Sequence, residues 1–181
     1  AMAKDVIARI RQVTDKPIKH VVLSHYHAVR VLGASAYEGA EIIASDVTRD
    51  LIVERGQQDM DSEIGRFPRL FRGKEGIPGL TWPSLSFTGG MSIHLGKREV
   101  RLMHLGRAHT MGDVVAWVPD AGVLFSGDIV YDGPLIEDCP GADAEAYARS
   151  MRRLLALPVR VMHGGHFPSC SGERLRGLVR D

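Results

Sequence analysis

His20-Val21-Val22-Leu23-Ser24-His25-Tyr26-His27-Ala28-Val29-Arg30 is the stretch on which the fold turns. Its first half is a short run rich in β-branched residues and reads as a buried strand. That strand delivers His25 and His27, two residues apart, into the loop that follows it. Two imidazoles so spaced can turn toward one point if the loop curls, and neutral histidine is a common metal donor. An H-x-H pair in a loop is by itself more often incidental. The next residues add no donors: Val29 cannot ligate, and Arg30 is a fixed cation without a lone pair.

Upstream, Val6, Ile7, Ile10 and Val13 recur at helical spacing, which predicts an amphipathic helix over about residues 3–15, ended before Pro17. Downstream, Val29 to Tyr37 reads as a helix closed by Gly39, and Glu41 to Ala44 as the next strand. This strand–motif–helix–strand order sets His25 and His27 where a strand hands over to a loop, a usual place for ligands in α/β folds.

Residues 46–88 differ in texture. Asp46 to Arg55 reads as a helix ended by Gly56, and a second helical stretch runs to about Arg72 despite Pro68. We expect a helical insertion here, covering one side of a site. Phe67, Phe71 and Trp82 read either as pocket walls or, more commonly for single aromatics, as packing of the insertion onto the domain. From Leu85 the period changes to two. Leu85 to Thr88, Met91 to Leu95, Glu99 to Leu105, Val114 to Val118 and Val123 to Ser126 read as strands, with turns at Gly96-Lys97 and 119–122. A helix from Ala144 to Leu157, a strand from Val159 to Met162 and a helix from Gly172 follow. The order predicts two sheets sandwiched between helices.

With 181 residues the chain is expected to form a single domain, residues 1–181, with the insertion at about 46–88. Its 44% hydrophobic and 25% charged residues are ordinary for a globular protein, and a formal charge of +1 gives no reason to expect nucleic acid or a membrane as partner. No apolar run is long enough to span a bilayer, and no secretory pattern opens the chain. Cys139 and Cys170 form neither a C-x-x-C pair nor a disulfide framework. They read as packing residues and fit a reducing cytoplasm.

Three further segments carry chemistry: Leu105-Gly106-Arg107-Ala108-His109-Thr110-Met111-Gly112-Asp113, Phe125-Ser126-Gly127-Asp128, and His163-Gly164-Gly165-His166. Each sits at a strand end. Together with residues 25–30 they resemble, in order, the H-x-H-x-D-H, G-H-T-x-G-D, S-G-D and G-H segments of the metallo-β-lactamase superfamily. The resemblance covers roughly residues 5–175. It implies an α/β fold, the αββα four-layer sandwich. It implies a first metal site of His25, His27 and His109 with Asp128 beside it, and a second site that includes Asp128 and His166. The family's aspartate and histidine at positions 29 and 30 are Val29 and Arg30 here. Some β-lactamases of the superfamily carry arginine at that last position, so Val29 is the graver loss. The chain is therefore expected to hold one zinc ion, with Arg30 placing its charge near the vacated position and pairing with Asp128.

Thr110, Gly112 and Asp113 read as supporting and turn residues. His20, His94 and His104 lie within strands and read as half-buried structural residues. His163 competes with His166 for the C-terminal role, and His166 is favoured because it follows the glycine pair directly. Superfamily members usually begin with several strands before the first helix. Their absence here predicts an N-terminally truncated sandwich: either a fragment, or a chain that covers the gap by forming a homodimer.

A metal on three histidines leaves a position for water and lowers that water's pKa to about 7. This predicts a hydrolase of an activated ester, lactone, thioester or β-lactam-like bond in a small-molecule substrate. Asp128 is then the catalytic residue nearest the attacking water. An alternative takes His25, His109 and Asp128 as a two-histidine, one-carboxylate triad holding iron, as in the sulfur dioxygenases of the same superfamily. A third reading is an inactive binding protein, against which the intact His25, His27, His109 and Asp128 argue.

Overall fold

Alternating hydrophobicity from residue 85 onward becomes a six-stranded sheet in the computed structural model, which describes residues 2–69, 71, 73, 77, 79–133 and 143–179. The elements run α1 (Met2–Arg11), β1 (His20–Val22), α2 (Ala28–Val31), a 3-10 turn (Ala34–Ala36), β2 (Glu41–Ser45), α3 (Asp46–Arg66), β3 (Leu85–Phe87), β4 (Gly90–Leu95), β5 (Arg98–His104), β6 (Val114–Val118), β7 (Val123–Gly127), α4 (Ala144–Leu155), β8 (Val161–Gly164), β9 (Cys170–Ser171) and α5 (Gly172–Leu178). They fall into two compact units, Ala1–Ala44 with Arg49–Ser86, and Ser45–Thr48 with Phe87–Asp181.

In the first unit β1 and β2 pair in parallel, with Val21 opposite Ile42, and β3 follows β2 in the sheet. Parallel neighbours need a crossover, and α2 with the 3-10 turn supplies it. The expected helix from Val29 to Tyr37 is thus two short pieces, parted at Gly33. Helix α1 stops at Arg11, whose guanidinium donates to the Lys16 carbonyl at 2.7 Å, so Val13 lies outside the helix and exposed.

Helix α3 corrects the expectation of a break at Gly56: it runs unbroken from Asp46 to Arg66. A Cβ at position 56 would stand 3.1 Å from Leu80 Cδ1, so the glycine answers to close packing and not to chain termination. Glycine inside a helix costs about 1 kcal/mol against alanine, which tertiary packing offsets. Pro68 then lies just past the helix end, where it breaks no ladder. Phe67 and Trp82 are exposed, so neither packs the segment onto a core.

In the second unit the sheet order is β4-β5-β6-β7-β8-β9, antiparallel except for the parallel β7–β8 pair that α4 bridges. Val115, Trp117, Leu124 and Met162 point to one face and pack with Tyr147, Met151 and Leu154 of α4 and Leu175 of α5. Tyr147, Ser150, Met151 and Leu154 recur at i, i+3, i+4 and i+7, which lays one stripe of α4 on the sheet. Burying each large aliphatic side chain contributes about 1.5–3 kcal/mol. Asp143 caps α4 by accepting the Ala146 N–H at 2.9 Å, and that bond holds its carboxyl below the usual carboxylate value.

Strand β9, which no sequence pattern suggested, is two residues long and leads straight into α5. At Gly172 the backbones meet: a Cβ there would lie 1.8 Å from the Val159 carbonyl oxygen. That contact is with main chain and cannot be relieved by a rotamer. Gly172→Ala should therefore destabilise the protein by about 3 kcal/mol or more, read as a lowered urea midpoint at unchanged m-value.

Candidate metal centre

In the first unit the ladder continues one residue past β1, with the Leu23 N–H donating to Ile43 O at 2.8 Å. The chain then leaves the sheet through Ser24 and enters α2 at Ala28. His25 and His27 are both buried, their ring centroids 4.7 Å apart and nearly perpendicular. Ser24 Oγ lies 3.1 Å from His25 Nδ1. When Nδ1 carries the proton it donates to that hydroxyl, and Nε2 keeps the lone pair a metal needs. His27 has an extended ψ of 141°, and its carbonyl accepts the N–H groups of Arg30 and Val31, so α2 starts immediately behind it. The Ala28 N–H donates to Asp59 Oδ2 at 2.6 Å. Val29 is 45% exposed and fills no core position.

In the second unit His109 sits at the head of a closed turn. The Thr110 N–H and hydroxyl donate to the two oxygens of Asp113 at 2.6 and 3.1 Å, and the Gly112 N–H reaches Thr110 Oγ1 at 3.3 Å. The Gly112 carbonyl accepts the hydroxyls of Ser45 and Thr48 at 2.6 and 2.7 Å. A Cβ at Gly112 would stand 2.6 Å from the Thr48 backbone nitrogen, so only glycine permits the approach. These bonds give the G-H-T-x-G-D residues their supporting roles in physical terms. Upstream, α4 holds the same loop: Ser150 Oγ donates to Arg107 O at 2.7 Å and Arg153 to Leu105 O at 2.8 Å.

Asp128 leaves β7 through Gly127, whose φ of 56° is a left-handed conformation suited to glycine. The Gly127 carbonyl accepts the Gly165 N–H at 2.9 Å, which draws the end of β8 alongside. His166 Nε2 lies 2.9 Å from Asp128 Oδ2; the carboxylate is buried and the imidazole half exposed. His163 takes a different course, with Nδ1 2.5 Å from Ser169 Oγ and its ring stacked on Phe125. The Tyr131 ring stacks on His166 at 5.4 Å and tilts against His109 at 5.8 Å, so it stands beside both. Tyr147 donates to Ile129 O at 2.5 Å and fixes the backbone after Asp128.

The remaining histidines serve locally. His20 Nδ1 lies 3.0 Å from Glu41, and His94 is exposed. His104 Nε2 lies 3.0 Å from Met111 O, and burial holds its pKa below the ordinary histidine value. Cys170 packs against the core, and burial pushes its thiol up, away from thiolate chemistry. Cys139 and most of the stretch 131–141 lie outside the described residues.

The metallo-beta-lactamase superfamily model matches residues 2–166. The chain belongs to the metallo-β-lactamase superfamily. It is 34% identical over 124 residues to the acyl-coenzyme A thioesterase MBLAC2 of Bos taurus and to that of Homo sapiens, covering 66% of this chain and 44% of theirs. It is 25% identical over 176 residues to the hydroxyacylglutathione hydrolase of Rhodobacter capsulatus, covering 91% and 55%. The chain thus spans less than half the length of the thioesterases it matches. Among solved structures, the metallo-beta-lactamase from Pontibacter korlensis superposes with a TM-score of 0.75 at 20% identity, over 97% of this chain and 74% of that one. That likeness is one of metallo-β-lactamase fold.

Among the described residues no helix is long and apolar enough to cross a membrane. Asp59 beside Ala28 in the first unit, and Tyr131, Ser45 and Thr48 around the His109 loop in the second, were not singled out in the sequence. Only the hydroxyls at 45 and 48, flanking the start of a helix, carried a readable signal, that of capping. Asp113→Ala removes both acceptors of Thr110 and leaves a buried N–H without them. It should cost about 1–3 kcal/mol, measured by thermal unfolding of the metal-free protein.

Proposed function

We propose that this protein is a metal-dependent hydrolase of small-molecule thioesters that holds one zinc ion on His25, His27 and His109. Membership of the superfamily, with relatives named acyl-coenzyme A thioesterases, supports a metallo-hydrolase. The observation that carries the reading is the histidine pair: His25 and His27 are both buried with ring centroids 4.7 Å apart, and the family's G-H-T-x-G-D segment adds His109 as the third donor. Neutral histidine nitrogens are donors that suit zinc.

A zinc ion bound there supplies Lewis acidity and an acidified water. The chain's own residues do the rest. Asp128, buried beside His166, takes up the proton of the attacking water, and the half-exposed His166 passes it to solvent or to the leaving group. Water adds to the carbonyl carbon, the C–S bond breaks, and a carboxylic acid and a thiol are released. Thioester is favoured because a thiol has a pKa of about 8.5 and departs as thiolate without a strong general acid. An alcohol or amine needs one, and position 29 no longer provides a carboxylate that could share proton transfer.

Elemental analysis of protein purified without added metal should find about one zinc per chain, and His109→Ala should lose it together with thiol release from acyl-coenzyme A. Two tightly held ions, or thiol release indifferent to His109→Ala, would overturn the proposal. Iron at one equivalent would favour the two-histidine, one-carboxylate alternative.

The paired substitution Val29→Asp with Arg30→His restores the family's donors. Because Val29 is half exposed, the new carboxylate is not forced into an apolar core, and fold stability should change little. Zinc titration should rise from about one ion to about two per chain, whereas Arg30→His alone should leave it near one.

A further inference from the structure

We propose that Asp59, on helix α3, is a positioning residue for His27: its carboxylate caps α2 from outside so that the histidine at the cap position is kept for metal. The proposal rests on the metal-site reading above and deepens it.

A helix start leaves backbone N–H groups without intrahelical acceptors, and the residue at the cap position ordinarily satisfies one with its own side chain. In α2 that residue is His27, and among the described residues its side chain makes no capping hydrogen bond. A histidine used as a cap accepts through a ring nitrogen that it then cannot give to a metal. The acceptor comes instead from 31 residues along the chain, where Asp59 Oδ2 takes the Ala28 N–H at 2.6 Å. Ala28 is fully buried, so its N–H has no recourse to water and the bond is not optional. A charge-assisted bond of this length is among the stronger ones available to a backbone amide.

A second contact on α3 points the same way. Arg55 lies one turn before Asp59 and so shares its face of the helix. The Arg55 guanidinium hydrogen-bonds to Glu54 and to the Tyr26 hydroxyl. Ile52, a turn earlier on that face, is buried, and Gly56 packs against Leu80. One face of α3 thus grips Tyr26 and Ala28, the two residues flanking His27, by side chain on one side and backbone on the other. Asp61 is exposed and bonds instead to Gln57 on its own helix, which makes it a matched control.

Zinc affinity by chelator competition, the visible spectrum of the cobalt(II)-loaded protein and exchange of the Ala28 amide in the metal-free protein test this. Asp59→Ala should lower zinc affinity about 10–100-fold, shift the cobalt ligand-field bands and speed Ala28 exchange. Asp59→Asn, which keeps an acceptor oxygen, should stay close to wild type in all three, as should Asp61→Ala. Wild-type affinity with an unchanged cobalt spectrum in Asp59→Ala overturns the proposal. So does an Asp59→Asn variant as weak as Asp59→Ala, since the acceptor would then not be what matters. Fast Ala28 exchange in the wild type overturns it without any variant, should Asp59→Ala not fold. A wild-type chain that binds no zinc instead removes the proposed function, and the role of Asp59 with it. Zinc held equally by wild type and Asp59→Ala removes the role of Asp59 alone.

Discussion

The carbonyl oxygen of Gly112 accepts two buried hydroxyls, and the loop that carries His109 takes its shape from that contact. Ser45 and Thr48 bring those hydroxyls from the end of β2 and the first turn of α3, where Ser45 Oγ also accepts the Thr48 N–H at 3.1 Å. A buried hydroxyl that loses its acceptor costs about 1–3 kcal/mol. Helix start and loop therefore stabilise each other. The contact is so close that residue 112 can carry no side chain. With Gly112 fixed, Thr110 and Asp113 close on each other, and His109 emerges from a turn whose polar groups are paired. The conformational entropy of ordering that loop is offset by bonds inside the protein before any ligand arrives.

A general division of labour follows from the chemistry of histidine. An imidazole has two nitrogens, and one used as a metal donor leaves a single nitrogen for support. A single nitrogen cannot brace the whole backbone segment that carries the ring. Other residues brace it: Ser24 beside His25, Asp59 at Ala28, Ser150 and Arg153 on the approach to His109, Tyr147 behind Asp128. Nearly all are small or hydrogen-bonding residues on helices or at strand ends, where a packed scaffold restricts their rotamers.

The strands and the four chemical segments were legible because each is written locally. Period-two alternation located β4 to β7 within about two residues, and Gly127 and Gly112 stand where a turn or a close approach demands them. What the sequence hid depends on partners far along the chain. Gly56 looks like a helix terminator until Leu80 is seen against it. Asp59 looks like one more acid on a solvated helix face, and nothing near it announces the amide of Ala28. The glycine pair already favoured His166 over His163, and the β7–β8 pairing, through Gly127 and Gly165, gives the reason: it sets His166 on Asp128 while His163 stacks on Phe125. Phe67 and Trp82 stand at the surface, so of their two readings the packing of the insertion onto a core does not hold.

The changed motif at positions 29 and 30 bears on reaction more than on fold. A half-exposed valine gains less than the full 1.5–3 kcal/mol of a buried one, so packing alone does not explain its presence. The consequence is chemical: one fewer carboxylate to orient water and carry protons. In the proposed reaction that work passes to Asp128 and His166, one buried and one open to solvent. The buried member favours strong interaction with a nearby charge in a low-dielectric setting. The open member exchanges protons with water, so the pair can reset after each turnover. Such a relay is enough when the leaving group departs as a stable anion and inadequate when it must be protonated as it leaves. In the proposed reaction, then, the leaving group sets the substrate, and among the bonds the resemblance to this superfamily suggested, the thioester meets that condition best.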